Sequence, residues 1–84
     1  MAYPVYMEKE FEDEESVIYW FCINTNFENA GRIQLNKKTK IIKQLVELSN
    51  VEKSLSDWAF NRAGIKISQC YRENNFPKKL EIIH

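Results

Sequence analysis

Seven consecutive apolar residues, Val17-Ile-Tyr-Trp-Phe-Cys-Ile23, form the most apolar stretch of the chain. A membrane span needs about 18 such residues, so this run does not cross a bilayer. It is β-branched and aromatic, and no polar residue alternates within it. A strand of this kind is buried on both faces, or nearly so, and belongs at the centre of a sheet. It therefore demands neighbours on either side. The chain has 84 residues, which allows one small domain with one core and no second domain.

The flanking segments supply those neighbours. Residues 3–11 have modest strand character, with Pro4 suited to a strand start or an edge. Glu12 to Ser16 is a charged break. Residues 30–36 alternate, with Ile33 and Leu35 inward and Arg32 and Gln34 outward. Asn36-Lys-Lys-Thr39 reads as a turn, because Asn favours the first turn position and can bond its own backbone. Lys40 takes the left-handed position where Gly is commoner. Residues 41–48 return as the partner strand. The adjacent pairs Ile41-Ile42 and Leu45-Val46 break its alternation, which points to a bulge or to burial on both faces.

Beyond residue 48 the period changes from two to about 3.6. Phe60, Ala63, Ile67, Cys70 and Tyr71 share one helical face. Ser49-x-x-Glu52 and Ser54-x-x-Asp57 both resemble capping boxes, and the periodicity favours the second. The helix is expected at about 55–74, ended by Asn74, Asn75 and Pro77. Residues 77–84 form a tail or a last short strand. The expected fold is α+β, a three- to four-stranded antiparallel meander over about 3–48 with one long C-terminal helix across one face.

Catalytic chemistry finds little support. The single histidine, His84, is the last residue, so a Ser or Cys nucleophile has no well-placed base. Gly31 and Gly64 are too far apart for a phosphate loop. Two cysteines and one histidine cannot make a four-ligand metal site, and neither a metal nor a cofactor is expected. Cys22 and Cys70 read as small buried hydrophobes rather than a disulfide. The N-terminus lacks a basic region and an apolar signal core, so a cytoplasmic protein without membrane partners is expected.

Charge is more informative. Twelve acids balance twelve bases, which excludes a uniformly basic nucleic-acid binder and a uniformly acidic mimic. Yet residues 1–30 carry seven acids and one base, whereas residues 31–84 carry five acids and eleven bases. Glu10, Glu12, Asp13, Glu14 and Glu15 therefore form a candidate acidic docking surface. Tyr6 and Phe11 are its candidate anchors. The basic half offers Lys37, Lys38, Lys40 and Lys43 on the hairpin, and Arg62, Lys66 and Arg72 on the helix, as phosphate contacts. No nucleic-acid-binding motif accompanies them. Trp58 and Ile65 lie about 140° or more from the middle of the helical core stripe. They are either covered by Leu80, Ile82 and Ile83 or by Val51 and Leu55, or they form a partner patch or a homodimer seam.

These readings converge on a non-enzymatic protein-interaction module. The expected function is that of an inhibitor or immunity-type protein of the bacterial cytoplasm, docking on a basic partner through its acidic segment. A nucleic-acid-associated protein and a homodimeric structural module are the alternatives.

Overall fold

The computed structural model describes residues 3–82. The expectations for His84 and Ile83 therefore lie outside the described residues. Strands β1 (Val5–Glu12), β2 (Ser16–Cys22), β3 (Gly31–Asn36) and β4 (Ile42–Val46) follow one another, then helix α1 (Lys53–Glu73) and strand β5 (Lys79–Ile82). All pairings are antiparallel, and the spatial order is β4-β3-β2-β1-β5. The first four strands form the expected meander. The segment read as tail or short strand is a strand, brought beside β1 by the helix that recrosses the sheet.

The apolar run Ser16–Cys22 holds the central position of the five. Its burial, however, is one-sided except at Cys22, which is fully buried and donates its thiol to the Glu28 carbonyl. Val17, Tyr19 and Phe21 are fully buried beneath the helix, with Val5, Met7, Ile33, Leu35, Ala59, Ala63 and Ile67. Ile18 and Trp20 face the other way and are only half-buried. One helix covers one face of a sheet, and no second layer is available in a chain this short.

The hairpin follows its local chemistry. Asn36 Oδ1 accepts from the backbone N–H groups of Lys38 at 2.9 Å and Thr39 at 3.0 Å. Lys40 is left-handed, with φ 65°. The broken alternation in β4 is a bulge. Arg32 pairs with Val46 and Ile33 with Gln44, so Leu45 is the extra residue.

The helix departs from expectation at its start. It begins at Lys53, and neither Ser49 nor Ser54 caps it; Glu52 occupies the N-cap without a side-chain bond. The packed stripe is Ser56, Ala59, Ala63, Ile67 and Cys70. Small residues line the contact because the helix lies close to the sheet. Phe60 and Tyr71 therefore sit at the margins, half-buried. Asn74 ends the helix in the left-handed region at φ 52°, its N–H bonded back to the Cys70 and Tyr71 carbonyls.

A second bulge has larger consequences. Met7 pairs with Phe21 and Lys9 with Tyr19, but Phe11 pairs with Ile18 and Glu12 with Val17. The register shifts at Glu10, which inverts the facing of every later residue in β1. Phe11 thereby turns to the uncovered face, and Glu12 turns to the helix side.

Candidate functional site

The fold brings the two charged halves together. Among the described residues, four ion pairs join the N-terminal thirty positions to the rest: Glu8–Lys79, Glu10–Arg32, Glu12–Lys37 and Glu15–Lys38. Glu8 and Lys79 are cross-strand neighbours, Glu10 and Arg32 reach each other across β2, and the other two pairs join the β1–β2 and β3–β4 turns, so the strand order imposes the pairing.

The acidic segment is accordingly occupied with internal contacts. Glu12 Oε2 meets Lys37 Nζ at 2.7 Å, and Oε1 meets Lys9 Nζ at 2.7 Å. Lys9 also donates to the Phe76 carbonyl at 2.9 Å, and Lys37 lies 5.0 Å from the Phe76 ring centroid. The bonds from Lys37 and then Lys9 hold the Glu12 carboxyl below its ordinary pKa. This cluster seals the core where β1, the hairpin and the helix C-terminus meet. Asp13 Oδ1 accepts from the Glu15 and Ser16 backbone N–H groups, each at 2.8 Å, and these bonds lower its pKa. Glu10 pairs with Arg32 at 2.8 Å, and Glu15 reaches Lys38 at 3.3 Å across solvent. Among the described residues, Glu14 alone of the five makes no side-chain bond.

Glu12 yields a pH-dependent expectation. A carboxylate whose pKa is lowered by folding stabilises the fold above its unfolded pKa of about 4.5, and that stability is lost as pH falls. Glu12→Gln is expected to cost about 1 kcal/mol at pH 7. The two proteins should converge only once pH falls through the lowered pKa of the folded state, where the folded carboxyl also takes up its proton. Urea titrations at pH 7 and at about pH 2 read the difference. An equal gap at both values would separate the cost from ionisation.

The anchors divide between two places. Tyr6 and Phe11 lie on the uncovered sheet face, and Phe11 is 46% exposed. They share it with Ile18 and Trp20, which cross-strand pairing sets on the same side. The Arg32 guanidinium lies 5.1 Å above the Trp20 ring. Trp20 and Ile18 were missed in the sequence because the apolar run reads as buried on both faces. Trp58 is on the helix and packs partly against the core. Its neighbours in a shallow groove are Tyr3, Val51 and Leu55, and Arg62 stacks on it at 5.5 Å. Ile65 is 63% exposed. Leu80 and Ile82 belong to β5, and they pair with β1.

The basic residues divide between the hairpin and the helix, which meet where the Tyr71 hydroxyl donates to the Lys37 carbonyl at 3.1 Å. Lys37 and Lys38 are committed to Glu12 and Glu15. Among the described residues, Lys40, Lys43, Arg62, Lys66 and Arg72 enter no ion pair. Lys40 and Lys43 belong to the hairpin, while Lys66 and Arg72 lie about 120° apart around the helix.

Cys22 and Cys70 are buried and free, and burial raises the Cys70 thiol pKa. Among the described residues, no three His, Cys, Asp or Glu side chains are placed to hold a metal. Among the described residues, no helix is long and apolar enough to cross a membrane. No family model, curated protein or solved structure matches this chain.

Proposed function

We propose that this chain is a non-enzymatic protein-interaction module of the inhibitor or immunity type, which acts by occluding a basic partner. The observation that carries the reading is the uncovered sheet face. Tyr6, Phe11, Ile18 and Trp20 place aromatic and branched side chains on a five-stranded platform, on the face that no helix covers among the described residues. Aromatic side chains on such a platform suit the centre of an interface. The acidic turn at Glu14 borders β1 and supplies charge at the rim, where it influences association rate more than affinity. A bacterial and cytoplasmic setting belongs to the same proposal, supported by two buried thiols that form no disulfide.

Quantitative capture from a native lysate tests the reading, with wild type, Phe11→Asp and Lys40→Glu/Lys43→Glu compared side by side. One basic protein should be recovered by wild type and the lysine variant. Its recovery should fall about tenfold or more with Phe11→Asp, whose circular dichroism should match wild type. Equal recovery by Phe11→Asp would sink the proposal. So would steeply salt-dependent capture of nucleic acid that the lysine variant abolishes.

The homodimer is a second reading, favoured by one observation. Ile41, Leu45 and Val46 are exposed at β4, an edge strand, and Ile65 is exposed on the helix. Edge strands with apolar side chains pair readily with another copy. Sedimentation of wild type beside Leu45→Lys distinguishes it: a dimer that Leu45→Lys dissociates favours this reading, and a concentration-independent monomer removes it.

A further inference from the structure

The uncovered face carries a cleft of about 510 Å³ where β1, β5 and the 23–30 loop meet. Its aromatic walls are Tyr6 and Phe27, and its carboxylates are Glu8 and Glu81. Met7, Leu80 and Lys79 complete the lining. Strand pairing builds half of it. Tyr6 stands directly opposite Glu81, and Glu8 opposite Lys79, so all four side chains share one face.

The loop builds the other half. Asn24 and Asn26 Oδ1 both accept from the Glu28 N–H, at 3.3 and 3.0 Å. The Cys22 thiol donates to the Glu28 carbonyl at 3.3 Å, and the Ser49 N–H donates to the Asn29 carbonyl at 3.1 Å. These bonds hold Phe27 and Asn29 in the left-handed region, at φ 56° and 61°. The cleft is therefore formed before any ligand arrives.

Its charges are loosely held. Lys79 approaches Glu8 only to 3.9 Å and its side chain remains 77% exposed. Among the described residues, Glu81 makes no ion pair or side-chain hydrogen bond. Two aromatic side chains and two carboxylates lining one cleft match a planar cation. The rings attract it through their faces, and a carboxylate accepts its N–H fork.

We propose that this cleft binds the guanidinium of an arginine side chain presented by a protein partner. The inference rests on the docking reading above and names the chemistry of one docked group. An ammonium head fits less well, because it cannot stack or donate as a fork.

Amide chemical shifts during titration with acetyl-Gly-Arg-Gly-amide test it directly, without the partner. Saturable shifts should concentrate at residues 25–27 and 79–82. Glu81→Gln and Tyr6→Leu should each weaken binding about threefold or more, and Glu14→Gln should not. Spermidine, as the free-polyamine arm, should bind more weakly than the peptide. Shifts spread over all acidic residues, or affinity unchanged in Glu81→Gln and Tyr6→Leu, would overturn the site. Tighter spermidine binding would overturn the arginine assignment. If the peptide fails to bind while Phe11→Asp still abolishes partner capture, this inference falls and the docking reading stands. If the peptide binds but Phe11→Asp leaves capture intact, the reverse holds.

Discussion

Gly31→Ala is expected to destabilise the protein by about 2–3 kcal/mol, a large share of what a domain this size possesses. Gly31 opens β3 and is fully enclosed. Its φ is not in the left-handed region, so space rather than backbone freedom selects glycine. A Cβ there would fall 2.5 Å from Phe21 Cζ, 2.7 Å from Phe21 Cε1 and 2.8 Å from the Val46 carbonyl oxygen. The Phe21 ring cannot withdraw easily, because it is fully buried and lies 6.3 Å from the Phe60 ring. The Val46 oxygen belongs to the β3–β4 ladder, and moving it disturbs the edge strand. Urea unfolding should show a midpoint lower by about 2 M at unchanged slope. Phe21→Leu alone leaves a cavity and costs about 1–3 kcal/mol. In the double variant the two losses should fall short of their sum, because the shorter side chain makes room for the new methyl. Strict additivity would mean that the ring is not what excludes alanine.

Alkaline pH is expected to unfold the protein through Tyr19. This residue is fully buried in β2, and its hydroxyl donates to the Pro77 carbonyl. Burial, chiefly, and then the negative charge of nearby groups raise its pKa far above the ordinary value of about 10. Below pH 10 the folded and unfolded chains both hold the proton, and this contribution to stability is complete. Above pH 10 the unfolded chain releases the proton while the folded chain retains it. Stability should then fall by about 1.4 kcal/mol per pH unit from this group alone. Tyr19→Phe should remove that dependence while costing about 1–2 kcal/mol at pH 7, since the Pro77 carbonyl loses its donor. Subtracting the two stability curves between pH 7 and 11 isolates the group from the exposed lysines and tyrosines. Parallel curves above pH 10 would assign alkaline unfolding to other residues.

The charge pattern shows how composition can mislead about surfaces. Residues 8–15 read as a free acidic patch because their partners are distant in sequence. Lys37 and Lys38 are more than twenty positions from Glu12 and Glu15, and only the turn-to-turn contact joins them. The one available signal was Lys9, which interrupts the inward series Val5, Met7 at the next inward position. A lysine there implies a carboxylate near the core margin. Tyr6 and Phe11 were legible as exposed aromatics, but their common face was not, since the bulge at Glu10 lies between them.

The features legible along the chain are local. The apolar run placed a central strand, Asn36 and Lys40 placed a turn, and the step from period two to period 3.6 placed a helix. Each follows from backbone sterics, side-chain periodicity or short-range hydrogen bonds, which act within a few residues. Three further features come from the packing of the chain: β2 is covered by the helix on one face, several acids of the first thirty residues pair with bases of the rest, and β5 returns beside β1 to form a cleft. Each depends on residues far apart in sequence meeting across a strand order. That order depends on where the helix can bury its small-residue stripe, and no local pattern records it.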